Sequence, residues 1–345
     1  KDDLNFMVTK NEDKMGMHGS FTTEVVYEDT MATLIGKPCM GFKYMLHLMN
    51  GARIGVAFQS LGILEAAIKD AQEYAKERIQ FGRPIAELPL MKRNLEDFEI
   101  ELRAIRALLV DTASFFDVYQ RLELKKLETG HLTEREERLF DNANLWTRKR
   151  TPLVKYYACE AAAYLSAKSI QVLGGYGYMK EYTVERYHRD SFGPLLYEGT
   201  SQIQALMALK DLMKYIIKDP GAYFSHLFFG GIIFPLDKLP QHKTMDDFSS
   251  LGRKLKRKIT KLIYRTLRPK ASDLFKVSKW TEEEKIEKLM IHAETICEGL
   301  SYLETLRVLA KHASMDDDRS KLYFDYKELI LPRLTRIYCD WENRS

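Results

Sequence analysis

Glu198 is the residue whose setting best suits chemistry. It lies in Pro194-Leu195-Leu196-Tyr197-Glu198-Gly199-Thr200-Ser201-Gln202-Ile203-Gln204, a lone acid between an aromatic-apolar run and a helix start. Gly199 permits a sharp turn beside the carboxylate. Thr200 or Ser201 can cap the following helix, whose apolar positions Ile203, Leu206, Met207 and Met213 keep helical spacing. A carboxylate on such a turn can accept a proton from a substrate, while the nearby helix N–H groups hold the anion that forms. The plainer reading is that Glu198 neutralises its own helix dipole.

Two other sets of residues invite chemistry. Gln171-Val172-Leu173-Gly174-Gly175-Tyr176-Gly177-Tyr178 is glycine-rich, but it follows a helical pattern and so lacks the strand context of a dinucleotide fingerprint. It is either a turn where backbone approaches a ligand or a plain helix–helix turn. His188 has no metal partner at ligand spacing, so packing or pairing is the simpler role. Cys39, Cys159, Cys297 and Cys339 are far apart and form no CxxC, which suits free thiols in a reducing compartment.

The elements that must position these residues are mostly helical. The 345 residues are 45% hydrophobic and 30% charged, with a net charge of +4, too small to argue for nucleic acid as a partner. Only 1–38 looks strand-like, with period-two alternation over Phe21 to Glu28. One or two strands form no stable sheet alone. Together with a start at Lys1 rather than methionine, this favours a fragment of something longer over a tag scar or a processed precursor. A helix is expected from Gly41 to about Lys76, carrying Ile54, Phe58, Leu61, Leu64 and Ile68 on one face. Gly82 and Pro84 end it, and a second helix starts near Pro89 and reaches about Leu124. Residues 121–150 are highly charged and read as a surface insertion, with a capping box at Thr133 to Glu136. Helix resumes at Pro152 and runs to Gln171. Beyond Lys218, 224–234 is apolar but shorter than a membrane span. Residues 251–270 hold nine Lys or Arg against an apolar stripe of Leu251, Leu255, Ile259, Leu262 and Leu267. Such a helix can lie on an anionic membrane, contact nucleic acid, or dock by its stripe; docking is favoured. A further capping box is read at 281–284.

In order, Lys14-Met15-Gly16-Met17-His18-Gly19-Ser20, Arg78-Ile79-Gln80-Phe81-Gly82-Arg83-Pro84, the Gln171 to Tyr178 loop, Arg186 to Asp190 and Leu196-Tyr197-Glu198-Gly199-Thr200 resemble the acyl-CoA dehydrogenase family. The resemblance implies a mainly α fold: 1–38 as a remnant of the middle β-domain, 39–217 as the C-terminal four-helix bundle, and 218–345 as a helical extension like that of the larger bacterial branch. It implies FAD-dependent oxidation of an acyl-CoA to the trans-2-enoyl-CoA. Glu198 matches the catalytic base. Arg78, Gln80 and Phe81 match FAD contacts made across a subunit interface, where a guanidinium suits the pyrophosphate. Gln171, Gly174 and Gly175 match the loop along the adenosine and pyrophosphate, and Thr200 and Gln202 match contacts just after the base. Tyr197 and Arg53 match positions near the acyl-CoA. A homodimer or homotetramer and an electron-transfer flavoprotein as acceptor are implied. A cytoplasmic location is expected, with peripheral contact to the inner membrane through 251–270 as a further option. The alternative function is a family member turned binding protein that uses the basic 251–270 helix on a membrane surface or DNA. Pro89 stands where a flavin-contacting glutamine is usual, and Ala205 where an arginine is common. This piece alone, lacking flavin-ring contacts, is expected to bind FAD poorly.

Overall fold

The computed structural model describes residues 6–218, 242–267 and 283–343. The expected apolar run at 224–234 and the start of the capping box at 281–284 lie outside them.

The strand-like segment is a hairpin: β1 (Phe6–Asn11) pairs antiparallel with β2 (Thr23–Tyr27), from Phe6 opposite Tyr27 to Asn11 opposite Thr23. Both strands are largely exposed, so the hairpin has no core of its own. Its connecting loop is tied down elsewhere. The Met17 N–H donates to Asp190 Oδ1 at 2.6 Å, and Arg189 Nη1 donates to the Met15 carbonyl at 2.8 Å. Gly16 is required there, because a Cβ would stand 2.7 Å from the Arg189 carbonyl oxygen.

Five helices then build the bundle. α1 (Gly41–Glu77), α2 (Pro89–Thr129) and α3 (Glu134–Leu173) are long and pack on one another. α4 (Val184–Leu196) lies against α1 and α3, and α5 (Ser201–Lys218) against α3. On α1 the buried face is Ile54, Ala57, Leu61, Leu64, Ile68, Ala71 and Ala75, at helical spacing. Phe58, expected on that face, is exposed. Between α1 and α2 runs a two-residue ribbon of β3 (Ile79–Gln80) and β4 (Arg83–Pro84), with Pro89 at the first turn of α2.

The charged stretch 121–150 corrects the sequence reading. It is no separate insertion but the far ends of α2 and α3, joined by a short turn in which Gly130 is left-handed. The capping box forms as expected: Thr133 Oγ1 accepts from the Glu136 N–H, and Glu136 Oε2 accepts from the Thr133 N–H at 3.0 Å. Ala143, Thr147 and Arg150 are buried, and α3 runs through Pro152 unbroken. Of the charges in this stretch Arg150 alone is buried, where it pairs with Asp111 and Glu304.

Beyond the bundle come α6 (Lys243–Leu267), α7 (Glu283–Met290), α8 (Ala293–Met315) and α9 (Ser320–Asn343). α8 is buried on nearly every side, packing on α2, α3 and α5 as well as on α6 and α9. The apolar stripe of α6 is used in docking: Leu255, Ile259, Leu262 and Leu267 are buried. A basic face that includes Lys254, Arg257, Lys261 and Arg265 is left to solvent. One contiguous core therefore joins the bundle and the C-terminal helices. Cys159 and Cys297 are buried free thiols, and Cys39 and Cys339 exposed ones.

Candidate active site

Glu198 occupies the elbow at 197–200, between the end of α4 and the start of α5. Its backbone is left-handed, φ +56°, and Gly199 follows at +95°. For a residue with a side chain that conformation costs about 1 kcal/mol or more and persists only where neighbours enforce it. Here they do. Arg53 on α1 donates through Nε to the Glu198 carbonyl at 3.0 Å and through Nη1 to Asn50 Oδ1 at 3.1 Å. Gln204 on α5 donates from Nε2 to the carbonyls of Glu198 and Gly199, both at 3.1 Å. Lys155 on α3 donates from Nζ to the Gly199 carbonyl at 2.7 Å and to that of Leu195 at 3.4 Å. Thr200 caps α5, its Oγ1 accepting from the Ile203 N–H at 3.4 Å. The sequence reading of a carboxylate on a turn before a capped helix is what the backbone does.

The carboxylate itself is left with a buried oxygen, Oε2, that has no hydrogen-bond partner among the described residues. Two cations, Arg53 and Lys155, lie within range of its charge. Burial lowers the pKa of both Arg53 and Lys155, while the negative charge of Glu198 acts to raise both. Tyr197 turns its hydroxyl onto Gln59 Oε1, and Gln59 Nε2 reaches Met17 Sδ at 3.9 Å. Burial, first, and then Cys159 push the Tyr197 phenol up to about 12, so it stays neutral. The Met17 loop thus closes on the elbow from the side of the hairpin.

Arg53 is 4% exposed and spends its guanidinium on the Glu198 carbonyl and on Asn50. Lys155 and Gln204 escaped the sequence reading. Nothing in their local pattern marks them, since Lys155 looks like one more polar residue on an alanine-rich helix, and only the packing of α3 under the elbow brings its ammonium there.

A second locus forms at the other end of α1. Arg78, Gln80, Gly174, Gly175 and Tyr176 line a cleft of about 410 Å³, with Tyr74, Ile85 and Met179. Arg78 lies over the Tyr176 ring at 5.9 Å. The glycine-rich loop is a 3₁₀ turn, Gly174–Tyr178, closing α3; Gly174 is left-handed at φ +61°, and a Cβ on Gly174 or Gly175 would meet open space. Gln171 points elsewhere, taking a hydrogen bond from Lys168 at 3.2 Å beside a neighbouring cleft. Phe81 is 88% exposed, and Gln202 is exposed on the outer face of α5. His188 pairs with Ser166 Oγ at 3.0 Å, the ordinary role expected of it. No cluster of three metal-ligating side chains occurs among the described residues.

The fold and this elbow define a helical bundle that presents one carboxylate at a strained turn. The sequence profile of the acyl-CoA dehydrogenase C-terminal domain matches residues 40–213. The chain belongs to the acyl-CoA dehydrogenase family. It is 37% identical over 211 residues to an acyl-CoA dehydrogenase of Bacillus subtilis, covering 60% of this chain and 49% of that one. It is 35% identical over 208 residues to the CarC subunit of a caffeyl-CoA reductase–Etf complex of Acetobacterium woodii, covering 59% and 48%. The chain spans about half the length of the curated relatives it matches. Among solved structures, butyryl-CoA dehydrogenase from Megasphaera elsdenii is 33% identical with TM-score 0.51, over 62% of this chain and 50% of that one. An acyl-CoA dehydrogenase complexed with FAD from Bacillus anthracis shares only the fold, at 18% identity and TM-score 0.72. That likeness runs over 99% of this chain and 56% of the other. The C-terminal helices are thus part of an architecture already seen in a solved structure.

Proposed function

We propose that this chain carries the catalytic base and part of the cofactor surface of an FAD-dependent enzyme that oxidises an acyl-CoA thioester to the trans-2-enoyl-CoA. The observation that carries the reading is the Glu198 elbow: a carboxylate on an enforced left-handed turn, with a buried oxygen that no described protein donor occupies. The α-proton of a thioester is weakly acidic, so its removal needs a positioned base and donors for the carbonyl oxygen that gains charge. Glu198 takes that proton. The backbone N–H of Glu198, beside the start of α5, is the donor this chain can offer to the oxygen. Tyr197, held by Gln59, forms part of the acyl-side wall.

FAD, when bound, supplies the acceptor for the β-hydrogen. The residues present fit part of it. Arg78 offers a guanidinium suited to a pyrophosphate, and the bare glycines of 174–175 leave room for close approach. The two loci are far apart, however. Arg78 lies just past the end of α1, about 37 Å along the axis from Arg53 at a rise of about 1.5 Å per residue. That is longer than one dinucleotide can bridge while contacting both ends. The cleft at Arg78 and the elbow at Glu198 therefore serve different bound nucleotides, and each complete site draws on two copies of the chain. This supports a homodimer or larger homo-oligomer. An electron-transfer flavoprotein is the proposed acceptor, in line with the Etf complex named for the Acetobacterium woodii relative.

The test uses the protein expressed with any upstream sequence its gene encodes. It is expected to purify yellow, to be bleached by an acyl-CoA, and to exchange the α-proton of butyryl-CoA with deuterated water. Glu198→Gln should retain the flavin and lose both bleaching and exchange by at least ~10³-fold. Exchange at the normal rate in that variant removes Glu198 as the base.

A further inference from the structure

With Glu198 as the base, the donors that enforce its unfavourable backbone conformation gain a role beyond the fold. Lys155 is fully buried on α3, yet its ammonium makes no close ion pair with a carboxylate among the described residues. It spends two donors on backbone carbonyls instead. One belongs to Leu195, in the last turn of α4, where carbonyls have no helical partner; the other belongs to Gly199, just past the base. The ammonium thus ties the end of one helix to the elbow across the short span that contains Glu198. A helix end needs no buried charge for this purpose, since water or a neutral donor satisfies such carbonyls at lower cost. Gln204 reaches the Glu198 and Gly199 carbonyls from α5, and Arg53 reaches the Glu198 carbonyl from α1. Donors from three helices therefore converge on two consecutive peptide planes, and each plane is rigid.

We propose that Lys155 is a positioning residue for the base, fixing the Leu195-to-Gly199 elbow so that the Glu198 carboxylate meets the α-carbon of the bound thioester, with Gln204 as the second half of the same clamp. The proposal rests on Glu198 being the base. Lys155 touches neither substrate nor cofactor and acts only through the backbone. A base displaced by a fraction of an ångström loses rate in the proton-transfer step without losing affinity for the parts of the substrate bound elsewhere.

The experiment compares Lys155→Met, Gln204→Met and Glu198→Gln with the parent, each expressed with any upstream sequence its gene encodes. Flavin content, thermal unfolding, the KM for butyryl-CoA, and α-proton exchange of butyryl-CoA in deuterated water by NMR are measured. Lys155→Met is expected to keep its flavin and a cooperative transition, to hold KM within about twofold, and to exchange ~10–100-fold more slowly at saturating thioester. Gln204→Met should shift the same quantity in the same direction by less. Exchange at the parent rate in Lys155→Met, alongside loss of exchange in Glu198→Gln, overturns the positioning role and leaves the base intact. Normal exchange in Glu198→Gln overturns the base instead. Should Lys155→Met fail to fold, a parent rate in Gln204→Met overturns the clamp. A slowing matched by loss of flavin or an equal rise in KM also overturns it, because it marks a role in the fold alone.

Discussion

At the scale of single residues, the elbow depends on Gly199 as much as on the side chains that clamp it. Its φ of +95° is one that residues with a Cβ rarely adopt, and a Cβ there would stand 2.8 Å from Gln204 Nε2 and 3.1 Å from Ile203 Cγ2. Gly199→Ala should therefore cost about 1–2 kcal/mol, measured by chemical denaturation, because strain is added and the Gln204 amide is pushed off its two carbonyls. Much of this site was legible in the chain. An acid, a glycine and two hydroxyl residues before an apolar helical repeat marked the elbow and its cap. The clamp was not legible, because Arg53, Lys155 and Gln204 come from three helices and are brought together only by packing. Arg53 shows this most clearly: it stands 145 residues before Glu198 in the chain, yet its guanidinium reaches the Glu198 carbonyl.

Among the helices, charge misled where it was buried. Residues 121–150 look solvated, and most of the acids and bases there are. Arg150 is not. Its Nε donates to Glu304 Oε1 at 2.6 Å and its Nη1 to Asp111 Oδ2 at 2.8 Å, while the guanidinium lies over the rings of Trp146 and Phe115. Arg307 completes the square, reaching Glu304 at 2.8 Å and Asp111 at 3.2 Å. The four side chains join α2, α3 and α8, and sequence separation of up to 196 residues hides them from any local pattern. Removing one charge from such a set leaves its partners buried and under-compensated. Arg150→Met should destabilise the fold by about 3 kcal/mol, and adding Glu304→Met should restore part of that loss, because an apolar pair replaces an ion pair more cheaply than a lone charge is buried. A double variant no more stable than Arg150→Met alone would mean that the square contributes nothing as a unit.

For the whole molecule, the boundary read at residue 218 divides the chain by composition but not by packing. α8 is the reason. Its residues Ile296, Leu300, Leu303, Leu306 and Leu309 sit in the same core as the inner faces of α2 and α3. A second tie reinforces it: Arg333 on α9 makes two hydrogen bonds to Glu101 on α2 at 2.6 and 2.7 Å, and Tyr326 donates to the Tyr157 hydroxyl of α3 at 3.0 Å. Composition could not show this, because an amphipathic helix announces that it will dock without saying on what. The hairpin is the opposite case. Its strands are exposed and linked to the rest chiefly through the Met15–Met17 loop. Regions that share a core open together, whereas regions without one open alone. Native-state hydrogen exchange on this chain should therefore find the central amides of α3 and α8 protected to the same free energy, with Arg150→Met lowering both equally. The amides of β1 and β2 should exchange far faster and be unmoved by that substitution. If α8 lost protection before α3, the C-terminal helices would be a separate unit rather than part of one core with the bundle that carries the Glu198 elbow.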